Sequence, residues 1–230
     1  MKALAVAAAL SVLAGGADAA IQDRSARLAG VRVDYKVALP VGYDAAKAYP
    51  LILVFGGGDQ TIQGAQSTVE QDWRAEAEKR GYIVVSPAAP GGDLYLAKGD
   101  RVIPAFLQLI RRDYRITGRI HIAGHSNGGV SAFHLAALYP DQFSTVTGYP
   151  GLWEDDPEAD FPATLKSLCV YMHVGDRDDR WVRFMQAQAK DMASQGYTVR
   201  FTIEPNQDHR LRAAELGLQK RMFDEIESCR

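Results

Sequence analysis

Short β-rich apolar runs alternate with longer amphipathic stretches along this chain, and no other feature constrains its fold as much. Val31 to Leu39 (VRVDYKVAL) alternates apolar and polar residues, as a half-buried strand does. Leu51 to Phe55 (LILVF) is a continuous apolar run stopped by three glycines. Tyr82–Ser86, Arg119–Ala123, Phe143–Gly148, Cys169–Val174 and Tyr197–Ile203 read as further strands. Between them, Ser67–Arg80, Asp100–Tyr114, Gly129–Tyr139, Trp181–Gln195 and Leu211–Ser228 read as helices. Gly81 and Gly196 sit where a helix C-cap is wanted, and Pro140 closes a third helix. This order predicts an α/β fold of three layers, with a mostly parallel central sheet and helices on both faces. Chemistry in such sheets gathers at the carboxyl ends of the strands. The places to look are therefore just after Phe55, Ala123, Val174 and Ile203.

The chain has 230 residues, 47% hydrophobic and 23% charged, which suits one domain with a sizeable core. Net charge is −2 without a basic stripe, which argues against a nucleic-acid partner. Lys2, the apolar run Ala3–Leu13, the break at Gly15 and Gly16, and Ala17-Asp18-Ala19 fit an export signal cleaved near Ala19. The run is too short to span a membrane. We therefore expect residues 1–19 to be a leader and residues 20–230 to be a single periplasmic or secreted domain. The two cysteines, Cys169 and Cys229, could pair in an exported chain or remain as buried thiols. A disulfide is the expectation.

The chain's most telling motif follows the strand Arg119–Ala123. There, Gly124-His125-Ser126-Asn127-Gly128 reads G-x-S-x-G and leads into a helix. A serine on so tight a turn holds its oxygen clear of the sheet, and side chains at 124 or 128 would collide with neighbouring backbone. The Asn127 N–H, at the start of the helix, can face a developing oxyanion. With its strand–turn–helix context, this segment resembles the nucleophile elbow of the α/β-hydrolase superfamily, and the resemblance covers essentially all of residues 20–230. It implies an α/β-hydrolase catalytic domain with Ser126 as nucleophile.

The remaining parts are read against that resemblance. Phe55-Gly56-Gly57-Gly58 lies where the superfamily often has a His-Gly loop that completes the oxyanion hole, although Phe55 stands in place of histidine. Gly57 is favoured as the donor over Gly58. No G-x-G-x-x-G or G-K-[ST] follows, which removes a phosphate loop as the rival. Three aspartates compete in Gly175-Asp176-Arg177-Asp178-Asp179-Arg180-Trp181. The spacing resembles the acid loop of prolyl-oligopeptidase-like and dienelactone-hydrolase-like enzymes, and that match implies Asp178. Asp176 and Asp179 would then be loop charges, paired with Arg177 or Arg180. His209, in the loop after the last strand, stands where the superfamily puts its base, and the order Ser126, Asp178, His209 is the order the fold requires. His125 beside the nucleophile is a candidate pocket residue, as are Gly58, Trp153 and Trp181. His121, His134 and His173 read structurally. No histidine or cysteine pair has metal-ligand spacing, so neither metal nor other cofactor is expected.

The resemblance implies a serine hydrolase acting on small carboxylic esters. The Leu51–Gln63 region is weakly similar to polyhydroxybutyrate depolymerases and feruloyl esterases. The alternatives are a small prolyl-oligopeptidase-like peptidase or amidase, lacking the propeller domain of that class, and a non-catalytic binding relative. The interval Tyr149–Leu168, where the superfamily inserts its lid, is short, acidic and poor in apolar surface. It should hold a crossover helix and no large lid.

Overall fold

The computed structural model describes residues 20–153, 161–213, 215 and 217–229. The expected leader lies outside these residues, as does the middle of the Tyr149–Leu168 interval. Eight strands form one sheet: β1 (Gln22–Leu28), β2 (Val31–Ala38), β3 (Leu51–Phe55), β4 (Ile83–Pro87), β5 (Ile120–Gly124), β6 (Phe143–Gly148), β7 (Cys169–Gly175) and β8 (Thr198–Glu204). Their order across the sheet is β1-β2-β4-β3-β5-β6-β7-β8. The β1–β2 and β2–β4 pairs are antiparallel, and every later pair is parallel. The expected three-layer α/β-hydrolase fold is what forms. Among the described residues no large lid is present, and no helix is long and apolar enough to cross a membrane.

The apolar strands are buried on both faces, which is why they read as continuous runs. Leu51, Leu53 and Phe55 of β3 face a core filled by α3 (Ile103–Asp113), α4 (Asn127–Leu138) and α5 (Asp179–Ser194). Ile52 and Val54 face the other core, filled by Trp73, Ala77 of α2 (Arg74–Arg80) and α6 (Leu218–Ser228). This alternation follows from the two-residue period of a strand.

Four elements differ from the sequence reading. Strand β1 (QDRSARL) was not foreseen, because an edge strand carries charges and few apolar residues. It is held by a hairpin whose turn residues Ala29 (φ 47°) and Gly30 (φ 82°) both take positive φ, the geometry that matches strand twist. The helix expected at Ser67–Arg80 starts earlier, as α1 (Ile62–Ser67), capped by Thr61 Oγ1 accepting from the Gly64 amide at 3.1 Å. It then passes through a π-helical turn at Thr68–Trp73 before α2 ends at Gly81 (φ 77°). The last helix begins at Leu218 and not at Leu211, because Gly217 (φ 63°) breaks the chain there, although Leu211 and Ala213 are still buried. The described part of the β6–β7 crossover holds only a 3₁₀ turn, Ala163–Ser167.

Beside the β7–β8 edge lies a buried ionic cluster. His173 Nδ1 meets Glu204 Oε1 at 3.1 Å, and Nε2 meets Glu225 Oε2 at 2.9 Å. Arg221 bonds the second oxygen of Glu204. Burial alone would lower the His173 pKa, but the hydrogen bonds and charges of Glu204 and Glu225 outweigh it and raise the pKa above its ordinary value.

Cys169, at the start of β7, and Cys229, just past α6, form the expected disulfide, with Cα atoms 6.0 Å apart. The bridge spans 60 residues, so in the chain-entropy model reduction should destabilise the fold by about 4 kcal/mol. The expected result is a clearly lower midpoint of urea unfolding after reduction and alkylation. Unchanged midpoints would show that the bridge constrains nothing the fold does not already hold.

Candidate active site

The site is assembled at the carboxyl ends of β5, β7 and β8. Central strand β5 delivers Ser126 to a turn with φ 55° and ψ −123°, a conformation that residues bearing a Cβ rarely adopt. Two glycines make the turn possible. A Cβ on Gly124 would lie 2.0 Å from the Gly128 carbonyl oxygen, and one on Gly128 would lie 2.1 Å from that of Phe55. The turn is pinned by the Ser126 N–H donating to Pro150 O at 2.7 Å.

His209 Nε2 lies 2.9 Å from Ser126 Oγ, and its Nδ1 lies 2.6 Å from Asp178 Oδ2. With Nδ1–H donating to the carboxylate, Nε2 is left free to accept the serine proton. Asp178 immediately precedes α5, and its carboxylate is mostly buried. The loops carrying Asp178 and His209 are stitched together. The Arg177 N–H donates to Gln207 O at 2.9 Å, and the Gln207 N–H donates to Asp176 Oδ1 at 3.1 Å. Asp176, expected to be a loop charge, thus accepts an amide from the loop that carries His209. Arg177 instead donates to Asn206 Oδ1 at 3.1 Å.

The glycine loop after β3 packs directly on the elbow. A Cβ on Gly57 would lie 2.6 Å from His125 Nδ1, so only glycine allows that approach. The Asn127 amide opens α4, where first-turn N–H groups have no carbonyl partner within the helix. Its side chain reaches back, with Nδ2 donating to Gly58 O at 3.0 Å. The His125 ring turns to the base loop and donates from Nε2 to His209 O at 3.1 Å. Burial pushes its pKa down to about 4, so it braces His209 as a neutral ring. Trp181 lies 5.2 Å from the His209 ring, centre to centre, and walls one side of it. The backbone of Trp153 is clasped by Gln188 of α5, at 3.1 Å to its N–H and 2.7 Å to its carbonyl.

His121 and His134 are occupied by Thr145 and Asp100. Missed from the sequence was Asp72, which sits in the π-helical turn and reads there as one more charge on a solvated helix face. It is buried 3.5 Å from the hydroxyl of Tyr149, which in turn accepts from Trp73 Nε1 at 2.8 Å.

The sequence of the Esterase family matches residues 25–215 of this chain. The chain belongs to the Esterase family. Its fold is that of an α/β-hydrolase. Dipeptidyl-peptidase 5 of Porphyromonas gingivalis is 30% identical over 136 residues, which cover 51% of this esterase-family chain but only 19% of that relative's length. Among solved structures, a ferulic acid esterase superposes with a TM-score of 0.70 at 20% identity, covering 90% of this chain and 98% of the other. A ferulic acid esterase from Anaeromyces mucronatus, in complex with ferulic acid, gives 0.68 at 17% identity, covering 87% and 88%. A thermostable esterase gives 0.69 at 18% identity, covering 91% of this chain and 63% of the other. At such identities the likeness is one of fold.

The buried groups behind this esterase-family site set a pH signature. Burial raises the Asp72 pKa from 3.8 to about 7 against the opposing pull of Arg210 and Tyr149. Between those values the folded state holds a proton that the unfolded state has released, so Asp72 makes stability fall as pH rises. His125 works the other way. Its pKa drops from 6.5 to about 4, so the unfolded state binds the extra proton and stability rises with pH. Burial lowers His121 likewise to about 4. Asp72→Asn should therefore steepen the rise of stability between about pH 4.5 and 6.5, by up to about 1.4 kcal/mol per pH unit. Urea unfolding at both pH values measures this. Parallel curves for the variant and the parent would mean that Asp72 is ionised in the folded state.

Proposed function

We propose that this chain hydrolyses carboxylic esters through an acyl-enzyme on Ser126, with His209 as general base and Asp178 as the acid that orients it. The reading rests on the uninterrupted Asp178–His209–Ser126 hydrogen-bond relay at 2.6 and 2.9 Å. Ser126 Oγ attacks the ester carbonyl carbon as its proton passes to His209 Nε2. Asp178 stabilises the imidazolium and fixes its tautomer. The carbonyl oxygen becomes an oxyanion, held by the amides of Gly57 and Asn127, with Gly58 as the other loop candidate. One such donor is typically worth about 3 kcal/mol of barrier. Collapse expels the alkoxide, which takes the proton from His209. Water then attacks the acyl-enzyme, His209 accepts its proton and returns it to Ser126 Oγ, and the carboxylic acid leaves.

Trp181, packed against the His209 ring, suits a short acyl or aryl group, with Trp153, His125 and Gly58 as further pocket candidates. The ferulic acid esterases among the structural relatives favour the same class. The Cys169–Cys229 disulfide favours an oxidising compartment, in keeping with residues 1–19 as an export leader and residues 20–230 as one catalytic domain. The dipeptidyl-peptidase likeness favours a second reading, cleavage of aminoacyl amides.

A panel of p-nitrophenyl acetate, methyl ferulate and an aminoacyl p-nitroanilide, with a fluorophosphonate probe, tests the proposal. The expected result is simple saturation with the soluble esters, little anilide cleavage, and labelling of Ser126. Faster anilide cleavage would favour the second reading, and absence of labelling would remove the serine mechanism. A sharp rise in rate only when substrate forms an emulsion would contradict the lidless site.

A further inference from the structure

Gln60 lies just beyond the glycine loop, outside every role described so far, and its placement is unusual in three respects. It is 1% exposed, although it is a polar residue in a connection between β3 and α1. Its backbone takes φ 50°, which glycine or asparagine would meet with less strain. Both ends of its side-chain amide are engaged at long range: Nε2 donates to Ser131 Oγ at 2.9 Å, and Oε1 accepts from the Tyr95 N–H at 3.0 Å.

The bond to Ser131 has a consequence for the oxyanion donors. Ser131 is buried on α4, one turn beyond Asn127, and its hydroxyl donates to Asn127 O at 2.8 Å. Asn127 Nδ2 donates to Gly58 O at 3.0 Å, and the Gln60 N–H donates to Gly57 O at 3.2 Å. These contacts close into a ring that runs from Gln60 through Ser131, Asn127 and Gly58 to Gly57 and back to Gln60. Gln60 donates at both ends of the ring, and the peptide bond between Gly57 and Gly58 closes it. The ring contains both residues whose amides are proposed to receive the oxyanion, Gly57 on the loop after β3 and Asn127 on the elbow. The Gln60 carbonyl, accepting from the Ala89 N–H at 2.8 Å, anchors the ring to the segment after β4.

We propose that Gln60 is a positioning residue which, through Ser131, fixes the spacing between the loop amide and the Asn127 amide of the oxyanion site. This rests on the serine-esterase reading above. Preorganised donors act on the transition state more than on the ground state. A slackened ring should therefore lower kcat and leave KM nearly unchanged. A mainly structural role for Gln60 would lower thermal stability and leave kcat per intact site alone.

The test uses Gln60→Glu, Ser131→Ala and the double variant on p-nitrophenyl acetate. Rates are normalised to sites titrated with a fluorophosphonate, and melting temperatures are measured alongside. Gln60→Glu keeps the size of the side chain and the acceptor for Tyr95 but has no N–H for Ser131. Ser131→Ala removes the bridging hydroxyl and leaves the Tyr95 contact in place. Each single variant is expected to lose about 10²-fold in kcat, the scale of a misplaced catalytic group. The double variant should lose little more than the worse single one. Affinity for phenylboronic acid, which forms a tetrahedral adduct on the serine, should fall in step with kcat/KM. Wild-type kcat per titrated site in Ser131→Ala, or a rise in KM alone, would overturn the proposal even if Gln60→Glu fails to fold. Ser126→Ala separates the two levels of the argument. If it retains turnover, the serine mechanism itself falls, whereas an inactive Ser126→Ala beside a fully active Ser131→Ala removes only the ring.

Discussion

Ser126→Ala is expected to lose about 10⁶-fold in kcat towards p-nitrophenyl acetate, leaving the small residual rate that binding and the oxyanion donors supply. Alanine keeps the Cβ, so the strain of φ 55° remains. The N–H that donates to Pro150 O also remains, so the elbow should hold its shape. Ser126→Gly should be equally inactive yet melt higher, because glycine accepts the left-handed turn without a Cβ penalty of roughly 1–2 kcal/mol. The two variants thus separate chemistry from strain. Ester assays and thermal melts on the purified proteins measure both. Wild-type turnover in either variant would exclude Ser126 as nucleophile.

Asp178→Asn is expected to cost about 10⁴-fold in kcat, far more than Asp176→Asn or Asp179→Asn. The carboxylate 2.6 Å from His209 Nδ1 accepts an N–H. An amide there can turn its NH₂ to the ring, forcing the tautomer whose Nε2 carries the proton and cannot accept another. It also removes the charge opposite the imidazolium. Asp176 makes a different contact, accepting the Gln207 amide at 3.1 Å, and an asparagine oxygen can still accept there. Asp179 is the first residue of α5, where its charge is worth about 0.3–1 kcal/mol to the helix. Steady-state kinetics of the three variants measures the ranking. If Asp179→Asn were the worst, the orienting acid would be misassigned by one position.

The inner parallel strands were legible because they are buried on both faces and so declare themselves as apolar runs, LILVF in β3 and CVYMHV in β7. The elbow was legible because its requirements are local: five consecutive residues between a strand and a helix. The order of Ser126, Asp178 and His209 could be read for a similar reason, since each follows its own strand. Less local features stayed hidden. Strand β1 exists by pairing with β2 and shows its own charges to solvent. Asp72 looks like part of an exposed helix until the π-helical turn rotates it inward. Gln60 has partners 35 and 71 residues away in the chain, so nothing in its neighbourhood announces them. The glycine loop showed that a donor belongs after β3, but its packing on His125 required the folded arrangement.

The serine is separated from its histidine by 83 residues, and the histidine from its aspartate by 31. Both partners arrive with the last two parallel strands, at the edge of the sheet. During synthesis the strained turn around Ser126 therefore precedes the groups that would make its oxygen reactive. Until β8 pairs with β7, that hydroxyl is an ordinary alcohol. On the proposed mechanism, hydrolytic competence would therefore mark the completion of the sheet, and an intermediate lacking its final strand would carry Ser126 in silence.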